Sequence, residues 1–194
     1  MRTHYNNELN INNVGEKVRL NGWVAKTRNL GSLLFVDLRD RFGITQLIFP
    51  EELSKEASKL RNEYVIEITG TVVERQSKNK NIPTGDIEVL VETLEILNTA
   101  KQTPIIISDD ENILEETRLK YRYLDLRRHK VQKFLIKRHE ILQAVRTTLV
   151  NKGFYELETP FLGRSTPEGA RDYLVPLRIH PGQFYALPQS PQMY

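Results

Sequence analysis

The segment formed by residues 158–192 carries the side chains best suited to binding a small charged molecule. Its loop 165–173 reads STPEGARDY and displays Glu168, while Ser190 and Gln192 follow near the end of the segment. A carboxylate such as that of Glu168 accepts a charge-assisted hydrogen bond from an ammonium group. Ser190 and Gln192 offer neutral hydrogen bonds that orient a ligand. Judged by residue type only, an ordinary surface carboxylate paired with a neighbouring arginine is the favoured interpretation of Glu168.

The same segment is too rich in proline to form a long helix, because proline fixes its own φ and pushes the preceding residue toward extended conformations. We therefore predict alternating strands and loops, with the charged loop 165–173 displayed above a rigid scaffold. The prolines are Pro160, Pro167, Pro176, Pro181, Pro188 and Pro191.

A second group of side chains is suited to binding single-stranded RNA. Phe35 and Gln46 fall on adjacent predicted strands, and we expect Arg28 in the loop just before them. An aromatic ring stacks an unpaired base, an amide reads a base edge, and a guanidinium holds phosphate. The alternative places Phe35 in the core and leaves Gln46 as an exposed strand residue. Residue parity puts the more apolar set on the opposite face from Phe35, so the pattern leaves both interpretations open.

Residues 1–100 must position that second group, and they read as an all-β unit. Alternating or β-branched stretches predict five strands, and residues 50–60 predict a helix after the third. This order fits an OB-fold, a small barrel that binds oligonucleotides, although an SH3-like barrel or a plain meander fits it too. The polar, basic loop 77–81 lies close to the proposed face in this arrangement. The five predicted strands cover residues 17–24, 32–38, 43–49, 64–73 and 86–97.

The chain changes character after residue 97. A polar connector leads to residues 111–128, which predict one or two helices, with Tyr121, Tyr123 and Leu124 packing as a hinge. Residues 131–152 give the strongest helix signal, an apolar stripe ended by Gly153. Residues 154–160 then predict a strand followed by proline.

Composition bounds the functional classes. The chain has 194 residues with a net charge of +3, no cysteine and no apolar run long enough to span a bilayer. Disulfides and thiolate metal sites are therefore excluded, and a cytoplasmic location is the expectation. The mild positive charge permits a polyanionic partner without requiring one.

Two long motifs, STPEGARDY at 165–173 and FYALPQSPQ at 184–192, resemble the amino-acid-binding region of bacterial-type aspartyl-tRNA synthetases. The helix–strand–proline order at 131–160 is similar to motif 1 of class II synthetases. The resemblance implies a mixed fold: an OB-fold anticodon-binding barrel over 1–100, a hinge over 101–130, and the truncated start of an α+β catalytic domain with an antiparallel sheet over 131–194.

The resemblance also implies roles for single residues. Glu168 and Gln192 match aspartate-contacting positions, with Ser190 in the same motif. Phe35 and Gln46 match the aromatic residue and the glutamine of the anticodon-binding barrel, and Arg28 and Asn81 match positions that approach the anticodon. The expected partners are the tRNA anticodon stem-loop, L-aspartate and a second copy of the chain.

The family activates L-aspartate with ATP and Mg²⁺ and transfers it to tRNA. It places the groups that act on the phosphate in motifs 2 and 3, which residues 1–194 do not include. We therefore expect no catalytic residue and no metal ligand in this stretch, and no adenylate formation by it. The alternatives are a stand-alone OB-fold RNA-binding protein, a related synthetase for asparagine or lysine, and a barrel with a purely structural role.

Overall fold

A computed structural model describes residues 1–31, 33–109, 112–166, 170–191 and 194. The chain forms two compact units, residues 1–131 and 132–194. None of the described helices is both long and apolar enough to cross a membrane. The predicted division at residues 100 and 130 into barrel, hinge and catalytic start stays a prediction.

A five-stranded barrel dominates the first unit. The strands pair in the closed order β1-β2-β3-β5-β4, with β4 returning to β1, which is consistent with the predicted OB-fold. All pairings are antiparallel except the short parallel one between β3 and β5. The elements of this unit are β1 (Lys17–Leu30), β2 (Leu33–Arg39), β3 (Ile44–Phe49), α1 (Glu51–Ala57), β4 (Val65–Glu74), β5 (Ile87–Asn98), α2 (Glu115–Lys120) and α3 (Arg122–Asp125).

The barrel closes because alternate residues of every strand point inward. Leu34, Val36 and Leu38 of β2 are buried, whereas Phe35 between them is only partly buried. Phe35 thus lies on the outer face, the one of the two positions left open by the pattern that agrees with alternation of side chains along a strand. The enclosed side chains form one core: Val18, Leu20, Val24, Leu34, Val36, Leu38, Leu47, Phe49, Ile66, Ile68, Val72, Ile87, Val89 and Val91, joined by Leu9, Ala57 and Leu60.

One glycine is required where β4 crosses β5. A Cβ added to Gly70 would lie 2.3 Å from the carbonyl oxygen of Leu90 and 2.9 Å from a methyl carbon of Val89. Both neighbours belong to the wall of the barrel, so neither can move without disturbing the strand pairing.

The segment around α2 and α3 is held by a network of hydrogen bonds centred on a carboxylate. Asp125 is buried and receives hydrogen bonds from Arg118 at 3.1 Å and Arg128 at 3.2 Å. These bonds, led by those from Arg118, lower the pKa of Asp125 despite its burial. Asp109 accepts the backbone N–H of Lys130 at 3.1 Å and so caps the start of the helix that follows.

That helix, α4 (His129–Asn151), matches the prediction closely. Gly153 ends it with φ +85°, and the Phe154 N–H donates to Leu149 O at 3.1 Å, a Schellman arrangement. The predicted strand over residues 154–160 is wrong. None of the described strands pairs with this stretch, and a strand requires a hydrogen-bonded neighbour.

A small antiparallel sheet completes the second unit. It pairs β6 (Tyr173–Pro176) with β7 (Phe184–Leu187), and a bridge joins Gly163 to Ala186. The predicted alternation of strands and loops over 158–192 is confirmed. Among the described residues of this unit, only Gly163 and Ala186 are buried.

Candidate nucleic-acid interface and amino-acid site

The outer face of β1, β2 and β3 carries a groove with a volume of about 280 Å³. Three of the four residues predicted to contact RNA, Arg28, Phe35 and Gln46, line it together. Its wall is completed by Leu30, Leu33, Ile48, Arg75, Gln76, Ser77 and Glu88. The barrel thus provides an apolar, partly charged cleft beside an aromatic ring, which suits an unpaired base.

Strand register explains why these side chains converge. Arg28 lies directly opposite Phe35, Phe35 opposite Ile48, and Asp37 opposite Gln46. Directly opposed residues of antiparallel strands share one face, so all five side chains project outward together.

The expectation of a loop position for Arg28 is wrong. β1 continues to Leu30 and pairs with β2 down to Leu33, so Arg28 belongs to the strand. The polar run Thr27-Arg28-Asn29 hides this extension, because the pairing partner that stabilises it lies elsewhere in the sequence.

A chain of hydrogen bonds crosses the groove floor. Arg28 donates to Asp37 at 2.6 Å and to Oε1 of Gln46 at 3.0 Å, and Nε2 of Gln46 donates to Glu88 at 2.6 Å. Gln46 and Glu88 are buried, at 5% and 6% exposure. The alternative that Gln46 is an exposed strand residue is therefore wrong. Its amide still has one N–H and one oxygen lone pair for a ligand, since each end can form two hydrogen bonds.

The electrostatics of the groove are mixed. Burial raises the pKa of Asp37, and the nearby cations Arg28, Arg75 and Lys26 oppose that shift only in part. The described residues also leave the buried Nε of Arg28 without an acceptor. This donor is enclosed by protein atoms, so it is a buried group with an unmade hydrogen bond and does not face the groove.

Asn81 lies outside the groove lining. It is exposed, and its backbone N–H donates to the Asn79 side chain at 3.0 Å. The loop that contains it starts at Arg75, Gln76 and Ser77, which do line the groove. The predicted role of Asn81 stays a prediction.

Sequence reasoning missed Arg75, Gln76 and Glu88 as groove residues. A signal for Glu88 exists, because Ile87, Val89 and Val91 alternate as core residues and leave residue 88 on the outer face. Its proximity to Gln46 follows from the β3–β5 pairing, which places Leu47 beside Val89.

The candidate amino-acid site lies in the second unit. Glu168 and Gln192 fall outside the described residues. Tyr173 opens β6 directly opposite Leu187, the last residue of β7, so the chain enters β6 and leaves β7 at the same end of the sheet. Ser190 is exposed there.

The base of the charged loop is closed by one carboxylate. Asp172 accepts hydrogen bonds from Oγ of Ser165 at 3.1 Å and from the backbone N–H of Thr166 at 3.0 Å. These bonds tie the described residues at the two ends of the loop to each other.

Comparison with known proteins agrees with both halves of this geometry. The family described as "OB-fold nucleic acid binding domain" matches residues 18–97, and the family described as "tRNA synthetases class II (D, K and N)" matches residues 114–194. An aspartate–tRNA(Asp/Asn) ligase of Geobacillus sp. (strain WCH70) is 55% identical over 100% of this chain and 34% of its own length. An aspartate–tRNA ligase of Bacteroides thetaiotaomicron is 55% identical over 98% of this chain and 33% of its own length.

The chain is similar along its whole length to part of the aspartate–tRNA ligases. It spans about a third of the length of the curated relatives it matches. The class II match over residues 114–194 counts against a stand-alone OB-fold protein.

Solved structures of this kind share the fold. Asparaginyl-tRNA synthetase of Pyrococcus horikoshii, complexed with asparaginyl-adenylate, matches with a TM-score of 0.81 and 29% identity over 98% of this chain and 43% of that one. A putative aspartyl-tRNA synthetase of Leishmania major matches with a TM-score of 0.82 and 22% identity over 100% of this chain and 40% of that one, which is a likeness of fold.

Proposed function

We propose that this chain supplies the anticodon-binding barrel and part of the aspartate pocket of an aspartate–tRNA ligase. The observation that carries the proposal is the convergence of Arg28, Phe35 and Gln46 in one groove of an OB-fold. Phe35 offers a face for stacking, Gln46 keeps one donor and one acceptor for a base edge, and Arg28 adds a cation.

Titration with the aspartate tRNA anticodon stem-loop tests the proposal. Gln46→Ala should weaken binding about two- to tenfold through lost hydrogen bonds. Thr93→Ala, on the exposed outer face of β5 and away from the groove, is the matched control and should bind like the wild type. Because Gln46→Ala also removes the partner of buried Glu88, thermal unfolding must show that the variant is folded at the assay temperature. Equal affinity of all three folded proteins would refute the groove as the RNA site.

For the amino-acid site, we infer that Glu168 accepts the ammonium group of L-aspartate, with Gln192 and Ser190 orienting it. The support is the similarity of this chain to aspartate–tRNA ligases, together with the described strands beside these residues, since the chain enters β6 and leaves β7 at the same end of the sheet. In the complete enzyme, Glu168→Gln should raise the KM for aspartate far more than the KM for ATP, since only the ammonium contact loses its charge. Equal changes in both constants would contradict this role.

ATP is the expected substrate of the whole enzyme, and Mg²⁺ is its expected metal. Within the described residues, no group of three or more acidic or histidine side chains could hold a metal ion. For these 194 residues we propose binding only. A polypeptide of these 194 residues should bind the stem-loop yet show no aspartate-dependent ATP–pyrophosphate exchange, and measurable exchange would contradict this.

We also propose that the whole enzyme is a cytoplasmic homodimer. The support for dimerisation is the apolar surface of α4, which is accessible in the isolated chain. Its exposed members are Phe134, Leu135, Ile141, Leu142, Val145 and Leu149. Sedimentation equilibrium of the complete enzyme with Leu142→Glu should show a shift toward monomer, and an unchanged dimer would exclude this face.

A further inference from the structure

A stack of four side chains stands on the barrel outside the groove. The rings of Tyr5 and Phe42 meet edge to face with centroids 4.5 Å apart. The Arg2 guanidinium carbon lies 4.8 Å from the centre of the Tyr5 ring, and that of Arg41 lies 5.6 Å from the centre of the Phe42 ring. We call this group the Arg2–Arg41 stack. Each of the two guanidinium groups lies over an aromatic ring, and cation–π attraction stabilises this arrangement.

Buried Asp40 fixes the backbone under the stack. Its carboxylate accepts the N–H groups of Asn6 at 2.8 Å, Phe42 at 2.7 Å and Gly43 at 3.0 Å. One carboxylate therefore ties the residue after Tyr5 to Phe42 itself. The rings are held in place, so little conformational entropy is lost when a ligand contacts them.

The two guanidinium groups remain available. Among the residues that the structure describes, no carboxylate pairs with either Arg2 or Arg41, although most other barrel arginines have an acidic neighbour, as with Arg39 and Glu63 at 2.8 Å. Tyr5 is 38% and Phe42 49% exposed. Planar donors without an acid partner match phosphate oxygens in forked geometry.

The position of the stack relative to the groove points to one RNA. Phe35 lines the groove near the start of β2, and the stack follows the end of the same strand at Arg39. Arg39 lies four residue steps along the strand from Phe35, which is about 13 Å. An RNA hairpin whose loop bases occupy the groove is long enough to reach both places.

We propose that the Arg2–Arg41 stack is a second RNA-contact surface, which binds phosphates in the stem of the hairpin whose loop enters the groove. The inference rests on the proposed function of the groove. Each guanidinium neutralises one phosphate and releases counterions, so the contribution is independent of sequence and sensitive to salt.

The test measures affinity for the aspartate tRNA anticodon stem-loop over a series of salt concentrations. The Arg2→Ala/Arg41→Ala double variant should lose affinity about tenfold or more near 0.1 M salt. Its slope of log affinity against log salt should be shallower by about two, one for each lost phosphate contact. The matched control is Lys55→Ala/Lys59→Ala, which removes two exposed cations from α1 and its C-terminal end and should leave the slope unchanged.

A second probe, the unpaired loop sequence as a single strand, locates the contact. The double variant and the wild type should bind this strand equally, because it lacks the stem. An unchanged slope with the stem-loop, or the same slope as the lysine control, overturns the proposal and leaves an acidic protein surface as the alternative occupant. Equal losses on both probes also overturn it, because they place the arginines at the loop.

Phe35→Ala separates this inference from the proposed function. That variant should lose affinity for both probes with little change in slope, since stacking releases few counterions. If Phe35→Ala has no effect and the arginine variant does, the groove assignment fails and the stack does not. The converse result overturns the stack and leaves the groove.

Discussion

Two phenylalanines on paired strands provide a sharp test of which face of the barrel reads RNA. Phe49 of β3 is fully buried in the core, whereas Phe35 of β2 is partly exposed in the groove. Phe49→Ala should lower the free energy of unfolding by about 3–5 kcal/mol, because it removes apolar contacts and leaves a closed cavity. Phe35→Ala opens no closed cavity, so only the transfer of its buried part is lost, about 1–2 kcal/mol.

RNA affinity should show the opposite order. If a base stacks on Phe35, the alanine variant loses about 1–3 kcal/mol of binding, or roughly 5- to 150-fold. Folded Phe49→Ala should bind within about twofold of the wild type. Urea unfolding and fluorescence titration of the same three samples give both quantities. The reasoning fails if Phe35→Ala destabilises the barrel as much as Phe49→Ala and leaves RNA affinity intact.

Three further predictions concern stability. The raised pKa of Asp37 means that the folded state holds its proton more tightly than the unfolded state, so the contribution of Asp37 to stability falls as pH rises through the raised pKa. Urea unfolding should therefore show Asp37→Asn gaining stability relative to the wild type as pH rises from the ordinary pKa of an aspartate through the raised pKa. Asp125 has the opposite sign: Asp125→Asn should cost about 3 kcal/mol at neutral pH, and the difference should shrink as pH falls through the lowered pKa. A constant difference across pH would contradict either assignment. Gly70→Ala should lower the free energy of unfolding by about 3 kcal/mol or prevent folding, because its Cβ would overlap backbone at 2.3 Å; an unchanged melting temperature would show that the strands can separate.

Periodicity predicted most of the barrel. β2, β3, β4 and β5 begin and end within about two residues of the predicted bounds, because each alternates a buried with a solvated face. β1 was predicted six residues too short, since its last part is polar and is stabilised by the hairpin it forms with β2. The local sequence pattern thus identifies a strand that has one apolar face. It does not identify a polar stretch that becomes a strand only by pairing with a neighbouring strand.

The groove shows the same limit. Phe35 and Gln46 could be placed from parity and from the family resemblance, yet their neighbours Arg75 and Glu88 come from distant parts of the chain. Residues separated by about 40 positions meet here, as Gln46 and Glu88 do. Such contacts depend on barrel closure, which no local window of sequence contains. The strand predicted over 154–160 failed for a related reason, because strand propensity was inferred without a partner.

The parallel pairing of β3 with β5 is the shortest strand pairing of the barrel, with Leu47 beside Val89 and Ile48 beside Leu90. Two side-chain bonds reinforce it, from Gln46 to Glu88 and from Thr84 to the Ile44 carbonyl. The groove has walls on both sides of this strand pairing, with Ile48 on one side and Ser77 on the other. A ligand that contacts both walls of the groove therefore stabilises the pairing of β3 with β5. Amide hydrogen exchange along β3 should therefore slow when RNA is bound, because the barrel then opens less often at this pairing.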